Sequence, residues 1–538
     1  MVYLGESAMK GNTPMKVRWM MRASFVVVVM AAGLVAAGCG IGGDSASSKG
    51  LDFIPKSSLG YLMVDTDFEG KNWKAVDDLG SKFDGWDTIR KQVRESVEKG
   101  TASYSKDIKP WLGKHAGVGI VSIKSDGSSG DFIAFLESTD DKKAEASLKT
   151  SKTDTAGEID GNKVYKQDSG AYWLVKDGVV VLAQDKKMLR KALKAQDSGD
   201  SVSDDDGAKD AAKEVGDSSL LSFVIGTSGY AKLRGQSSKQ LDTLNTLGIK
   251  LPTCLTNPKS GQAFAGAAAG LQADADGLHL HAVSLIDEDK LDGGKFGGKQ
   301  FEPKLLDKVP GDSVFAYTNM DLGGAIDGVV DCLNDSKDIA KLVASFEVLT
   351  GLSTNDIADA YNGQFVLAAG PSQPGSFNPF GVSMMIENTG DATVDVTDKL
   401  IEASGGLGVT PVDLITDKGK FQSIVAGTQT IDMGTNDDVA LITNDRGVVE
   451  QFGDIDSLAD NSDFTDVVKV ADMPDKVDGM MYLNPLGVAK LADASGMLPG
   501  SVDVTTVTDQ LSFIGPWLVW ITTKDDHQVV DVFMQIKD

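Results

Sequence analysis

Two halves of this chain carry the same signposts in the same order, and that constrains the fold more than any single motif. "IPKSSLGYLMVDTDF" (residues 54–68) runs from a proline through a turn into an apolar strand that closes on Asp67-Phe68. "VPGDSVFAYTNMDL" (309–322) repeats the plan. "DIKPWLGKHAGVGIVSI" from Asp107 is answered by "DIADAYNGQFVLAAG" from Asp356, so that Gly113 corresponds to Gly363. "LLSFVIGTSGYAKL" and "GMMYLNPLGVAKL" both end on Gly-x-Ala-Lys-Leu, at Leu233 and Leu491, and Leu251-Pro252 is echoed by Leu498-Pro499. The reading is two tandem copies, residues 51–290 and 301–538, joined by a Gly-rich hinge at 291–300. A chain of 538 residues exceeds one ordinary core and accommodates both.

Within a copy, period-2 stretches dominate and alternate with helical ones. In "AYWLVKDGVVVLAQ" (171–184), two strand-like runs flank Asp177-Gly178, a strong hairpin signal. Asp185 then stands where an N-cap belongs, ahead of Met188, Leu189, Ala192 and Leu193 at helical spacing. A second hairpin is expected at Asp276-Gly277. Residues 195–214 read as an acidic loop leading into a short helix. The expected class is α+β, each copy a mostly antiparallel sheet with helices packed on one side.

The N-terminus sets the expected location. Lys16, Arg18 and Arg22 precede an uncharged segment, residues 23–37, that ends in Ala36-Ala37-Gly38-Cys39. Charge, then a short apolar run, then small residues is the order of a secretory signal, and about 15 apolar residues fall short of a bilayer span. Small residues before a cysteine resemble the bacterial lipobox, which makes residues 1–38 a signal peptide and Cys39 the lipidated first residue. The plainer alternative is an ordinary signal that happens to be cut near a cysteine. Residues 39–50, Gly/Ser-rich, form a flexible tether, and translation could start at Met1 or Met15. The expected location is outside the cytoplasm, on the outer face of the bacterial cell membrane.

Removal of residues 1–38 leaves 48 Lys+Arg against 77 Asp+Glu, a formal charge of about −29. That disfavours nucleic acid and anionic headgroups as non-specific partners. Cys254 and Cys332 would sit in an oxidising compartment. Bonded, they close a 78-residue separation worth about 4 kcal/mol; the alternative is two separate buried thiols.

Chemical motifs are weak. "GGKFGGKQ" (293–300) has phosphate-loop spacing, but Gln300 replaces the required Ser or Thr. In "QADADGLHLHAV" (272–283), Asp274, Asp276 and Gly277 imitate a calcium loop whose first and twelfth positions are Gln272 and Val283. His279 and His281 alternate on a strand and face one side, as two zinc ligands would, with no third ligand nearby in sequence. The other histidines are His115 and His527. No Gly-x-Ser-x-Gly elbow occurs, and neither cysteine after Cys39 has a sequence-local histidine. Trp517 and Trp520, three apart on a strand, point to opposite faces. Trp111 and Trp173 lie in apolar runs and belong to the core. No catalytic, cofactor or metal residue is assigned.

The succession Ile54-Pro55, an apolar strand with a terminal Asp, helices, "DIKPWLG", "DFIAFLESTDDKKAEASL" (131–148) and Gly161-x-x-Val164-Tyr165 resembles the bacterial envelope proteins grouped as domain of unknown function 3352. The resemblance covers the mature chain and implies an envelope location and a single fold plan; it transfers no catalytic residue. Copy two departs from it, with Asp359-Ala360-Tyr361-Asn362 where copy one has Pro110-Trp111-Leu112. The expected function is a non-enzymatic scaffold or binding protein with an envelope protein as partner. The alternatives are a carrier of a lipid or other hydrophobic molecule in a groove between the copies, and, more remotely, an envelope hydrolase. Glycine and alanine in "GQAFAGAAAGLQA" (261–273) suit either a groove or close packing of the sheet.

Overall fold

The computed structural model describes residues 48–83, 86–88, 91, 104–123, 130–149, 153–216, 219–233, 263–290, 299–320, 322–323, 337–376, 378–406, 409–426, 429–496, 508, 511–524 and 527–537. The signal segment, Cys39, most of the tether, Cys254, Cys332 and residues 291–298 of the hinge lie outside them. The chain divides into two compact units, one ending at Asp205 and the other beginning at Asp206. Both combine helices with antiparallel sheet, an α+β fold.

The first unit holds β1 (Gly60–Asp65), β2 (Leu112–Ile123), β3 (Gly130–Ser138), β4 (Thr153–Ile159), β5 (Asn162–Gln167), β6 (Tyr172–Lys176) and β7 (Val179–Ala183). They pair antiparallel in the order β1-β2-β3-β7-β6-β5-β4. Its helices are α1 (Lys71–Ser81), α2 (Asp141–Leu148) and α3 (Lys186–Ser198). The β6–β7 hairpin turns on Asp177 and Gly178, both left-handed at φ 54° and 82°, as a two-residue type I′ turn demands. Asp185 caps α3 by accepting from Met188 N at 2.8 Å, and Gly199 closes it at φ 63°. Trp111 and Trp173 are buried.

The second unit begins with α4 (Asp206–Val215), β8 (Leu221–Gly226), β9 (Phe264–Ala273) and β10 (Gly277–Ile286). Then come β11 (Phe315–Met320), α5 (Lys337–Thr350), α6 (Thr354–Ala360), β12 (Gln364–Pro371), β13 (Phe380–Glu387) and α7 (Asp391–Gly406). β14 (Val412–Leu414), β15 (Lys420–Ala426), β16 (Gln429–Thr435), β17 (Val439–Thr443), α8 (Arg446–Glu450) and α9 (Ser462–Val470) follow. The unit closes with β18 (Gly479–Leu483), α10 (Pro485–Ala494), β19 (Ile514–Lys524) and β20 (His527–Ile536).

Its strands run in the order β8-β9-β10-β20-β19-β18-β11-β12-β13-β17-β16-β15-β14, every pair antiparallel. The run β11-β12-β13-β17-β16-β15-β14 thus has the pairing order of β1-β2-β3-β7-β6-β5-β4 in the first unit.

Helices cover both sheet faces rather than one. Phe464 and Val467 of α9 join Val366, Met385, Leu441, Met480 and Tyr482 on one face. Ile357 and Ala360 of α6 and Val396 of α7 pack with Phe365, Ile386 and Ala440 on the other. The cause is local: strands such as "QFVLAAG" and "VALIT" are apolar at consecutive positions, so neither face can be left to water. Among the described residues, no helix is long and apolar enough to cross a membrane.

Candidate functional site: an apolar trough backed by a histidine–aspartate clasp

Four adjacent strands of the second unit, β8, β9, β10 and β20, align two rows of side chains on one face. Phe223, Ala269, Ala282 and Val530 form one row, and Ile225, Ala267, Ser284 and Gln528 the next. The inner strands contribute only alanine and serine while the flanking strands contribute larger side chains, so the sheet surface is hollowed along β9 and β10. The hollow is a cavity of about 200 Å³ lined by these eight residues with Ala268 and Val283. Its wall is almost wholly apolar, with the Gln528 amide and the Ser284 hydroxyl at one end.

The opposite face of β9 is also built from small residues, for a different reason. A Cβ on Gly266 would stand 2.3 Å from the Gly207 carbonyl oxygen, and one on Gly270 would stand 2.3 Å from Val215 Cγ1 and 2.0 Å from Ser219 Oγ. Gly207 and Val215 belong to α4, which lies directly on this face. The alternation along β9 therefore assigns one set of small residues to helix packing and the other to the trough.

Behind the trough lies a polar cluster. His279 Nε2 is 2.9 Å and His281 Nδ1 2.6 Å from the same atom, Asp531 Oδ1. His281 and Asp531 are direct partners in the β10–β20 register. An ionised carboxylate only accepts, so His279 Nε2 and His281 Nδ1 both donate to it. Burial works to raise the Asp531 pKa, but the hydrogen bonds and positive field of the two imidazoles outweigh it and hold the carboxyl down at about 2. The rings of Trp520 and Phe533 flank His279 at 5.7 and 6.2 Å between centroids.

The structure brings His279 and His281 to one side, as alternation requires, and adds a carboxylate 250 residues away that local spacing could not reveal. One ring nitrogen of each histidine, Nε2 of His279 and Nδ1 of His281, is spent on that one oxygen. Among the described residues, no group of three or more His, Cys, Asp or Glu is placed to hold a metal ion. His115 lies in the first unit, where Glu137 accepts from its backbone N and pairs with its Nδ1 at 3.0 Å, and also accepts from Ser48 Oγ. Burial would raise the Glu137 pKa, yet these bonds prevail and hold it below the usual range. His527 stands 3.9 Å from Glu214. The Asp276-Gly277 turn is held instead by Asp274, whose Oδ1 accepts from both backbone amides at 2.9 Å. That explains the calcium-like spacing. Trp520 is buried on the clasp face, and Trp517, pairing with Met534, lies on the other.

The family model described as a protein of unknown function (DUF3352) matches residues 21–501. The chain belongs to this family. No curated protein matches the chain. Among solved structures, crystal form III of TP0453 is similar at 10% identity over 47% of this chain and 83% of that one, with a TM-score of 0.22. Crystal form IV of TP0453 is similar at 8% identity over 45% and 81%, with a TM-score of 0.23. Likenesses this distant carry no argument for this DUF3352 member.

Proposed function

We propose that this DUF3352 protein is a non-enzymatic binding protein, tethered outside the cytoplasm through a lipid on Cys39, and that its trough takes an alkyl chain or similarly apolar ligand. The observation that carries the reading is the double row of small side chains framed by Phe223, Ile225 and Val530 around a cavity of about 200 Å³. An apolar hollow on a sheet face is costly to leave to water, and sites of this kind serve ligands or partners.

The proposal includes the tandem duplication. On that reading β8–β10 close copy one and β18–β20 close copy two, and the copies meet where β10 pairs with β20. The pair His281–Asp531 is separated by 250 residues, the offset that also separates Gly113 from Gly363. The trough then lies where the copies join, in keeping with the carrier reading.

Native mass spectrometry of the mature protein purified from its own envelope, with extraction of bound molecules, tests this. The expected result is one apolar passenger per chain, lost in Ala282→Trp, whose indole fills the trough from an open face. An empty protein that also fails to bind a fluorescent fatty acid would overturn the reading.

A further inference from the structure

A second cleft, in the first unit, has a different chemistry. It encloses about 230 Å³ between the loop after β1 and the segment entering β2, and is lined by Thr66, Asp67, Phe68, Glu69, Tyr104, Lys109, Leu112, Gly113, Lys114 and Thr139. Phe68 is 42% exposed, unusual for a phenylalanine, yet its ring is fixed. Trp73 packs on it at 4.7 Å between centroids and Tyr104 meets it edge-on at 5.4 Å.

The backbone beneath that ring is held as firmly. Asp67 N donates to Asp65 Oδ1 at 2.8 Å, Gly70 N to Asp67 O at 2.7 Å, and Trp73 Nε1 to Asp65 O at 3.2 Å. Thr66 Oγ1 donates to Gly113 O at 2.6 Å, tying the loop to β2. An exposed aromatic ring is thus preorganised above a wall of polar groups, which lowers the ordering cost of binding.

The charges of that wall balance. Asp67 and Glu69 are offset by Lys109 and Lys114, and Lys109 forms an ion pair with Glu69. Burial together with the fields of Glu69 and Asp67 pushes the Tyr104 hydroxyl up to about 12, so it stays protonated and donating. A formally neutral cleft selects neither anions nor cations. Carboxylates that accept, ammonium groups that donate and a flat apolar ring suit a ligand with hydroxyls on its edge and C–H groups on its face.

We infer that this cleft is a saccharide-binding site, in which a hexopyranose ring stacks on Phe68 and its hydroxyls bond to Asp67, Glu69 and Lys109. It is separate in chemistry and in location along the chain from the apolar trough.

The test is saturation-transfer NMR on the full mature chain with a panel of soluble glucose, mannose, galactose and N-acetylglucosamine oligosaccharides, followed by titration of the best binder. Phe68→Ala should weaken binding by roughly tenfold, equivalent to about 1.4 kcal/mol for the lost stacking ring. Phe68→Tyr should retain it, and Lys109→Met should weaken it without changing the melting temperature. Absence of binding across the panel at millimolar concentration, or binding indifferent to Phe68→Ala, would overturn the assignment. So would binding of choline in place of every saccharide.

Discussion

Replacing Asp531 by Asn tests the clasp that ties β10 to β20. The carboxyl is only 10% exposed and its pKa is held at about 2 against an ordinary 3.8. A group whose pKa is depressed by folding contributes stability above its unfolded pKa and loses it as the pH falls through the folded one. The gap of nearly two pH units corresponds to about 2 kcal/mol at pH 7. Linkage leaves roughly half of that at pH 3 and little at pH 2. Asn keeps the shape and an acceptor oxygen but carries no charge, so Asp531→Asn should be less stable by about 2 kcal/mol at pH 7, and the deficit should close between pH 4 and pH 2. The readout is made local to the two strands the clasp joins, so that it reports on them and not on the chain's other unit. Samples equilibrated in urea at each pH are given a brief deuterium pulse, and peptides from β10 and β20 are weighed. A deficit that stays constant down to pH 2, or none at pH 7, would refute the electrostatic account.

The two faces of β9 make opposite predictions. Gly266→Val should cost roughly 1–3 kcal/mol in urea unfolding because its Cβ meets the Gly207 carbonyl, whereas Ala267→Val, facing the trough, should cost far less; equal costs would dissolve the division of roles. Arg446→Met should lower stability by roughly 3–5 kcal/mol, since it strips the bidentate partner, at 2.6 and 3.0 Å, from Asp432, whose side chain is 1% exposed. A thermal scan showing no change would contradict this. Cys39→Ala should move the protein from the membrane to the soluble fraction, and a variant still sedimenting with membranes would remove the anchor.

What could be read from the sequence was local chemistry with a short reach. The Asp177-Gly178 hairpin, the Asp185 cap and the buried Trp111 and Trp173 each follow from residues within a few positions of one another. Asp160-Gly161, left-handed at φ 48° and 75° between β4 and β5, carries the same dipeptide signal and could have been recognised with it. Asp274 could have been found too, as a carboxylate two and three residues ahead of the amides it binds. The clasp was not legible, because nothing near His279 announces a carboxylate at 531, and only the β10–β20 register brings them together. Helices on both faces were missed for a related reason: a strand apolar at consecutive positions says that both faces are covered, but not by which elements.

The alanine and glycine run of β9 shows why two expectations that looked exclusive are compatible. A strand has two faces, and small residues at consecutive positions serve each face separately. On one, Gly266 and Gly270 let α4 approach until backbone meets backbone; on the other, Ala267 and Ala269 leave a hollow that no helix among the described residues fills. The same four strands therefore carry rigidity and vacancy back to back, with the His279–His281–Asp531 clasp holding β10 to β20 beneath the hollow. A ligand in the trough would span Ala282 and Val530, which are register partners, one residue along from the register pair His281 and Asp531. Loosening the clasp should therefore weaken trough binding even though no clasp residue lines it. Titrating the fluorescent fatty acid into Asp531→Asn at pH 7 checks this, and unchanged affinity would mean that the two faces work independently.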